Sequence, residues 1–398
     1  LTYLLTFATA ATIVADLLLI LFWKFNFRKY IKGTDLQAPK DVHPELQPLP
    51  RPSLSVTPAV AILLAVRNEE KLLTSCLESL LASDYPEDQF TIWIGNDASE
   101  DRTLEIARRY AEQYPNIRVV DVTERLGDAR AKANVLAHLV KAVEQAKPVA
   151  NLLLVTDADM QVQPFWMRAM VQHWQATPRF GKVGVVTGIT LVGGRSVWGQ
   201  LQRIDWLFAL GMVKVASDWG MPIATMGNNQ LLYRTAYRAT GGYEALPFSI
   251  TEDFQILQAI SQCGYPHRNV VASQVTAFTR PMRSWRELLQ QRRRWMHGAV
   301  RLPWTITAIL FVQALFYPAL IFLCFYYLYI ALGLGLLKMG LQSFFIGQVA
   351  HKISMRKKYR HILYGYLLLY DLYAAVLTLL TIAIYYLPFR TYWKGRRY

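Results

Sequence analysis

The chain has 398 residues, room for two or three structural units. It is 53% hydrophobic with a mean hydropathy of +0.17, too apolar for an ordinary soluble enzyme, yet 18% charged is too polar for a pure membrane channel. The net charge of +15 invites a nucleic-acid reading, but the basic residues cluster beside apolar segments, at 24–32, 291–295, 351–361 and 390–398. That placement fits the positive-inside rule and anionic headgroups, and no nucleic-acid recognition module is visible.

Residues 1–23 are apolar for long enough to cross a bilayer, with Asp16 their only charge. A signal peptide is the rival, but no basic region precedes the stretch and no small-residue cleavage site follows it. We expect an N-terminal transmembrane helix over 1–25, with the basic residues after it on the cytoplasmic side. Residues 26–57 read as a basic, proline-rich linker.

From residue 59, short apolar runs alternate with helical periodicity. Strands are predicted at 59–66, 90–97, 117–122 and 151–159, and helices at 70–83, 101–114 and 129–146. Such alternation means βαβ units and a parallel sheet, whose ligands bind beyond the carboxyl ends of the strands. Those ends carry Arg67-Asn68-Glu69-Glu70, Asn96-Asp97, and Asp157 with Asp159. Two carboxylates so close repel each other and resist desolvation unless something positive is near. A polar turn explains any one of these clusters; three at buried strand ends point to a site.

Residues 283–302 read as an amphipathic basic helix in the membrane interface, with Trp285, Leu288, Leu289 and Trp295 on its apolar side. Residues 303–350 are long enough for two spans and 362–388 for one more. Two spans return the basic loop 351–361 to the inside, but a third puts the basic 390–398 outside, against the rule. Either 362–388 re-enters, or one segment lies flat, or the rule fails. Cys76, Cys263 and Cys324 are far apart and suggest neither disulfides nor zinc.

The set VRNEE (66–70), NDASED (96–101), AKAN (131–134), TDAD (156–159), TED (251–253) and QRRRW (291–295), flanked by membrane segments, resembles the membrane-embedded family 2 glycosyltransferases. Their relatives include cellulose, hyaluronan and chitin synthases and ceramide glucosyltransferases. The motifs cover residues 56–302. The resemblance implies an α/β fold of the GT-A type, a Rossmann-like nucleotide-diphospho-sugar transferase domain at 58–282. The interface helix at 283–302 and a C-terminal transmembrane region at 303–398 would follow it.

The implied reaction is inverting transfer of a sugar from a nucleotide-sugar, expected to be a UDP-sugar, to an acceptor hydroxyl with Mn²⁺ or Mg²⁺. A divalent cation neutralises charge on a departing diphosphate and takes oxygen ligands. The family pattern makes Asp159 the metal ligand, with Asp157 assisting or binding ribose. Asp97 would meet the base or ribose. Glu70 or Glu69 would frame that pocket or cap a helix. Lys132 and Asn134 would lie near the nucleotide, the alternative for Lys132 being an exposed helix face. Asp253 is the expected general base, although TED also reads as a helix start with Thr251 as N-cap. Gln291, Arg294 and Trp295 match QxxRW: Arg294 for pyrophosphate, Trp295 for the acceptor. Arg292 and Arg293 are assigned to lipid headgroups, and His297 to the interface or to a third metal ligand. Gly227 and Asn228 line the acceptor or donor-sugar side.

Few spans follow the catalytic domain, which favours single transfer to a lipid acceptor over a processive polysaccharide synthase with its own channel. A non-catalytic membrane scaffold is the alternative of another class. We expect an integral protein of a bacterial inner membrane with a cytoplasmic catalytic domain. Its expected partners are the bilayer, a nucleotide-sugar and a lipid or glycan acceptor. The oligomeric state is left open.

Overall fold

In the computed structural model, which describes residues 2–26, 46, 51–176, 182–299, 302–387, 392–393 and 396–397, the apolar run at 59–66 forms β1 (Val60–Val66), buried at every position. Both faces of β1 are covered, which is why its sequence does not alternate. It pairs in parallel with β2 (Phe90–Asn96) and with β4 (Leu152–Asp157), and β2 pairs in parallel with β3 (Ile117–Asp121). Between them run α2 (Leu73–Leu81), α3 (Thr103–Gln113) and α4 (Ala131–Gln145), after α1 (Thr2–Asn26) at the N-terminal end. α2 buries Leu73, Cys76, Leu77 and Leu80, one stripe at helical spacing. It starts later than the predicted residue 70 because Glu69–Leu72 form a turn, in which the N–H groups of Leu72 and Leu73 both reach the Glu69 carbonyl at 3.0 Å.

The chain then adds β5 (Gln161–Val162), α5 (Trp166–Gln175), β6 (Val185–Thr187), β7 (Thr190–Val192) and α6 (Val197–Asp218). Next come β8 (Asn229–Tyr233), α7 (Arg234–Ala239), α8 (Glu252–Gln262), β9 (His267–Asn269) and β10 (Ala277–Thr279). The main sheet has the order β3-β2-β1-β4-β8-β6-β9, with β8 antiparallel to both neighbours, and β5, β10 and β7 make a small second sheet. The predicted parallel half is therefore present, extended by a mixed half that the alternation did not announce. Residues 32–191 and 216–280 form this α/β unit.

The second unit comprises residues 1–31, 192–215 and 281–398. It holds α1, most of α6, α9 (Trp285–Ala299), α10 (Trp304–Tyr326), α11 (Leu328–Lys352), α12 (Lys357–Gly365), α13 (Leu367–Tyr386) and a two-strand pairing of β11 (Tyr392–Trp393) with β12 (Arg396–Arg397). Four described helices are long and apolar enough to cross a membrane: Leu5–Lys24, Trp304–Tyr326, Leu328–Lys352 and Leu367–Tyr386. The apolar block 303–350 divides at Tyr327 into the two expected segments. α1, α10 and α11 share a polar network: Lys338 Nζ donates to Asp16 Oδ2 at 3.0 Å and to Gln313 Oε1 at 3.1 Å, and Gln313 Nε2 donates to Asp16 Oδ1 at 3.0 Å.

Candidate active site

Within the α/β unit, the carboxyl ends of β1, β2 and β4 lie on one edge of the sheet. Ala65 is in register with Gly95 on one side and Asp157 on the other. Asp97 and Asp157 thus flank β1, two strand spacings or about 10 Å apart. Asn68 adopts a left-handed φ of 52°, which asparagine tolerates. Its turn fastens to the β2 end: Asn68 N–H donates to Ser99 Oγ, and Glu100 N–H to Asn68 Oδ1. Arg67 donates to the Asp97 carbonyl at 2.7 Å, and Asp97 N–H to the Val66 carbonyl at 2.9 Å. Asp97 is half-buried at this edge. Glu70 accepts the Arg102 N–H at 3.3 Å, so its carboxylate steadies the turn before α3.

A chain of contacts joins the other expected residues. Lys132, from α4, lies with Nζ 2.6 Å from Asp157 Oδ1, 3.5 Å from Glu252 Oε1 and 3.2 Å from the Gly227 carbonyl. It does not occupy an exposed helix face. Burial alone would lower its pKa, but the Asp157, Glu252 and Asp253 carboxylates outweigh burial and raise it above the usual lysine value. Gly227 N–H in turn donates to Asp253 Oδ2 at 2.9 Å, while Phe254 N–H donates to Asp253 Oδ1 at 2.8 Å. One peptide segment therefore connects the TED aspartate to the lysine that holds the first DxD aspartate. A Cβ on Gly227 would sit 2.7 Å from Asp253 Cβ and 2.9 Å from its Oδ2, so only glycine permits this approach.

Glu252 and Asp253 occupy the first turn of α8, where the helix dipole favours carboxylates. The expected Thr251 cap is not formed: Thr251 makes no side-chain cap bond, and its Oγ1 instead lies 3.2 Å from Ser249 Oγ. The helix start is ordered from its acidic residues rather than its threonine.

Asp159 is half-buried, and its Oδ2 accepts Thr279 Oγ1 at 2.8 Å. Among the described residues no three His, Cys, Asp or Glu side chains gather as a metal-ligand set. Mg²⁺ and Mn²⁺ bound with a phosphorylated substrate need only one or two carboxylates, the phosphates supplying the rest. With one Asp157 oxygen held by Lys132, Asp159 at a strand end fits that requirement. Cys76 donates to the Asp157 carbonyl at 3.5 Å; burial, together with Asp159 and Asp157, pushes its thiol pKa up, so it stays neutral.

Asn229 was not foreseen. Fully buried, it accepts Trp166 Nε1–H at 2.8 Å and donates both amide hydrogens, to the Ile189 and Val275 carbonyls at 3.0 Å each. Beside it, Asn228 offers its carbonyl to Thr156 Oγ1 and its Oδ1 to Thr190 Oγ1, both at 3.0 Å. Together they pin the segment that presents Gly227. The sequence marked the stretch through Gly227 and Asn228, but not that the second asparagine is its anchor. Asn134, expected near a nucleotide, spends its side chain on the preceding loop, accepting Leu126 N–H and donating to the Glu124 carbonyl, both at 2.8 Å.

Gln291, Arg294 and Trp295 belong to the membrane unit, on α9. Gln291 is buried with Oε1 unpartnered among the described residues, and Arg294 and Trp295 are half-buried. Arg292 stacks over the Trp295 ring at 4.3 Å, and Trp206 meets that ring edge-on at 5.5 Å. Arg292 also pairs with Asp205 of α6, and Arg293 is 8% exposed. The assignment of these two arginines to headgroups is thus corrected: a half-buried carboxylate claims one and the protein interior the other. His297 faces Tyr385 at 5.6 Å, and its pKa is lowered by burial and then by Arg293. Trp285 packs on Trp198 and Tyr373, so part of the apolar side of α9 meets protein.

The chain is 26% identical over 228 residues to the beta-monoglucosyldiacylglycerol synthase of Synechocystis sp., covering 57% of this chain and 44% of that protein. It is 24% identical over 253 residues to the probable glycosyltransferase YdaM of Bacillus subtilis, covering 62% and 57%. The chain spans about half the length of these curated relatives. Its fold matches mannosyltransferase PcManGT from Pyrobaculum calidifontis, solved with GDP-Man and Mn²⁺, at a TM-score of 0.55 and 19% identity over 96% of this chain and 97% of that one. The fold is accordingly the GT-A type expected, joined to apolar helices. Residues 34–398 match the model of glycosyl transferase family 21, and the chain belongs to that family of glycosyltransferases.

Proposed function

We propose that this protein is a membrane-bound inverting glycosyltransferase that moves one sugar from a nucleotide-sugar, a UDP-sugar, to a hydroxyl of a lipid acceptor. The observation that carries the reading is the Gly227 segment, which holds Asp253 on one side and Lys132, with Asp157, on the other. A base and a donor-site aspartate fixed to one backbone segment suit a single in-line displacement. One carboxylate base with no second nucleophile gives inversion.

In this reading Asp253 accepts the proton of the acceptor hydroxyl as its oxygen attacks the anomeric carbon. Gly227 and Phe254 N–H groups keep that carboxylate aimed. Lys132 offsets the crowded charge of Asp157 and Glu252 and keeps both carboxylates in place for the donor. Asp97 binds the base or ribose, and Glu70 steadies the turn beside it. Asp159, with Asp157, would hold Mn²⁺ or Mg²⁺; when bound, the cation neutralises charge on the departing nucleotide diphosphate. For Gln291, Arg294 and Trp295 the proposed roles follow the motif: Arg294 favours the leaving pyrophosphate, Gln291 orients it, and the Trp295 face not covered by Arg292 receives the acceptor.

Similarity to a monoglucosyldiacylglycerol synthase supports a lipid acceptor, and four apolar helices supply a bilayer route to it. The GDP-Man and Mn²⁺ of the structural neighbour support a nucleotide-sugar with a divalent cation. The relatives in Synechocystis and Bacillus support a bacterial inner membrane, with the α/β unit cytoplasmic. The test is to feed labelled UDP-sugars, and GDP-sugars in parallel, to membranes containing the protein. Label should enter an organic-extractable glycolipid, and Asp253→Asn should abolish this while nucleotide binding persists. High-mass polymer would establish a processive synthase instead. Absence of both nucleotide binding and metal-dependent donor hydrolysis would establish a scaffold.

A further inference from the structure

By length and composition α13 qualifies as a membrane span. Its neighbours indicate otherwise. α10 and α11 form a tight hairpin joined at Tyr327. Gln313 faces Lys338, while a Cβ on Gly335 would lie 3.3 Å from Leu320, so the two run antiparallel. Trp304 and Lys352 therefore end on one side, and Tyr326 and Leu328 on the other.

α13 starts beside the middle of the hairpin, where Asp371 accepts Tyr317 Oη–H at 2.7 Å, and its last residues return to the Trp304 side. Its first half packs beside the start of α9, with Trp285 and Tyr373 ring centroids 5.8 Å apart. Its last residues pack beside the end of α9: His297 meets Tyr385 at 5.6 Å, and Arg293 donates to the Leu387 carbonyl at 3.5 Å. Trp285 to His297 and Tyr373 to Tyr385 are equal steps, each about 18 Å of helix, so α9 and α13 lie side by side and parallel. From His297 to Trp304 the chain has a helix end and a short connection, about 20 Å at full stretch. A crossing α13 would carry Tyr385 about 30 Å away, to the Tyr326 side.

α9 itself cannot cross. It carries Arg286, Glu287, Arg292, Arg293 and Arg294 within one short helix. α13 also has two faces. Tyr370, Tyr373 and Leu377 are buried, whereas Leu368, Leu372, Val376 and Leu379 form an exposed apolar row at helical spacing.

We infer that α13 does not cross the membrane: it starts beside the middle of the α10–α11 hairpin, runs along α9 with its leucine face turned to the acyl chains, and ends on the side where α10 begins. The charge conflict in the sequence then eases, because Arg396 and Arg397 of β12, which follow α13, stay on the same side as the basic loop 351–361. The partner of the exposed row is the acyl region of one leaflet. The paired helices hold Gln291, Arg294 and Trp295 toward the Trp304 side, where, on the lipid-acceptor reading, the acceptor hydroxyl is met; the placement of α13 itself does not depend on that reading.

The experiment is cysteine accessibility in the full chain. A Cys263→Ser background removes the exposed thiol, since Cys76 is buried and Cys324 lies within α10. Tyr329→Cys, Lys357→Cys and Tyr392→Cys are each treated with a membrane-impermeant maleimide in intact cells and in inverted vesicles. Lys357→Cys and Tyr392→Cys should react from the same face, and Tyr329→Cys from the other. Reaction of Tyr392→Cys from the Tyr329→Cys face would overturn the inference. Should Tyr392→Cys fail to accumulate or to react, a protease-cleavable fusion after residue 398 decides the same question by the face from which it is cut. Transfer activity plays no part in the readout, so loss of the functional proposal leaves this test intact.

Discussion

Lys338 of α11 and Asp16 of α1, 322 positions apart in sequence, face each other at 3.0 Å, 1% and 3% exposed. The ammonium has three N–H donors, and Asp16, Gln313 and, with its amide turned, Gln342 accept them. The turned Gln342 also donates to Asp371, which accepts Tyr317 Oη–H at 2.7 Å. A charge so far from a helix end cannot snorkel to water. The pair thus selects α1 as the partner of the α10–α11 hairpin.

Removing one member leaves a buried charge without its counterion. Lys338→Met or Asp16→Asn should each destabilise the detergent-solubilised protein by about 3–5 kcal/mol, near the range for broken buried pairs. The double variant should lose less than the sum. Thermal unfolding of the three variants checks this, and strict additivity would show that the two side chains do not act as a pair.

Lys132 should matter to the donor site beyond its own contacts. Lys132→Met removes a charged hydrogen bond to Asp157 and a positive charge 3.5 Å from Glu252. A loss of about 1.5–3 kcal/mol corresponds to a roughly 10- to 100-fold fall in kcat/KM. Steady-state assay with a saturating acceptor and a varied donor measures it.

Gly227→Ala should displace Asp253, which the added Cβ meets directly, more than Lys132, which contacts the Gly227 carbonyl. A misplacement near 1 Å can lower turnover about 100-fold. The expected pattern is a fall in kcat with nucleotide affinity unchanged, read by transfer assay and by calorimetric titration with UDP. Normal turnover in Gly227→Ala would mean that Asp253 is not the base or that its aim is set elsewhere.

Asp159→Ala should abolish the gain in donor affinity that Mn²⁺ or Mg²⁺ gives to the unsubstituted protein. Titrating the donor with and without chelator tests it. Equal metal dependence in both proteins would transfer the ligand role to another residue.

His267 supplies a pH dependence in the α/β unit. Burial lowers its pKa, its Nε2 has no partner among the described residues, and Met221 and Asp218 oppose the shift only in part. The unfolded imidazole protonates near ~6.5, whereas the folded one resists. The stability gained from keeping it neutral is complete above that value and is lost as pH falls toward the folded pKa. Unfolding temperatures measured from pH 7.5 to 5.5 should fall less steeply in His267→Gln than in the unsubstituted protein.

The sequence by itself determined the alternating strands and helices, the acidic strand ends, the carboxylates at the start of α8 and the apolar segments. These are local properties. A strand buried on both faces must be continuously apolar, and an amphipathic helix must repeat near 3.6, whatever lies elsewhere in the chain. It also carried the motif order that placed the chain among membrane glycosyltransferases. Only the tertiary structure decided which partners those residues meet. Gly227 joins Asp253 to Lys132 because β8 runs back antiparallel beside β4, a pairing that no window of sequence contains. Arg292 leaves the headgroups because α6 brings Asp205 to it, and Asp16 is neutralised by a lysine from the far end of the chain. For α13 the reason is plainest: a helix apolar nearly all round has the same hydropathy whether or not it completes a crossing, and only its neighbours distinguish the two.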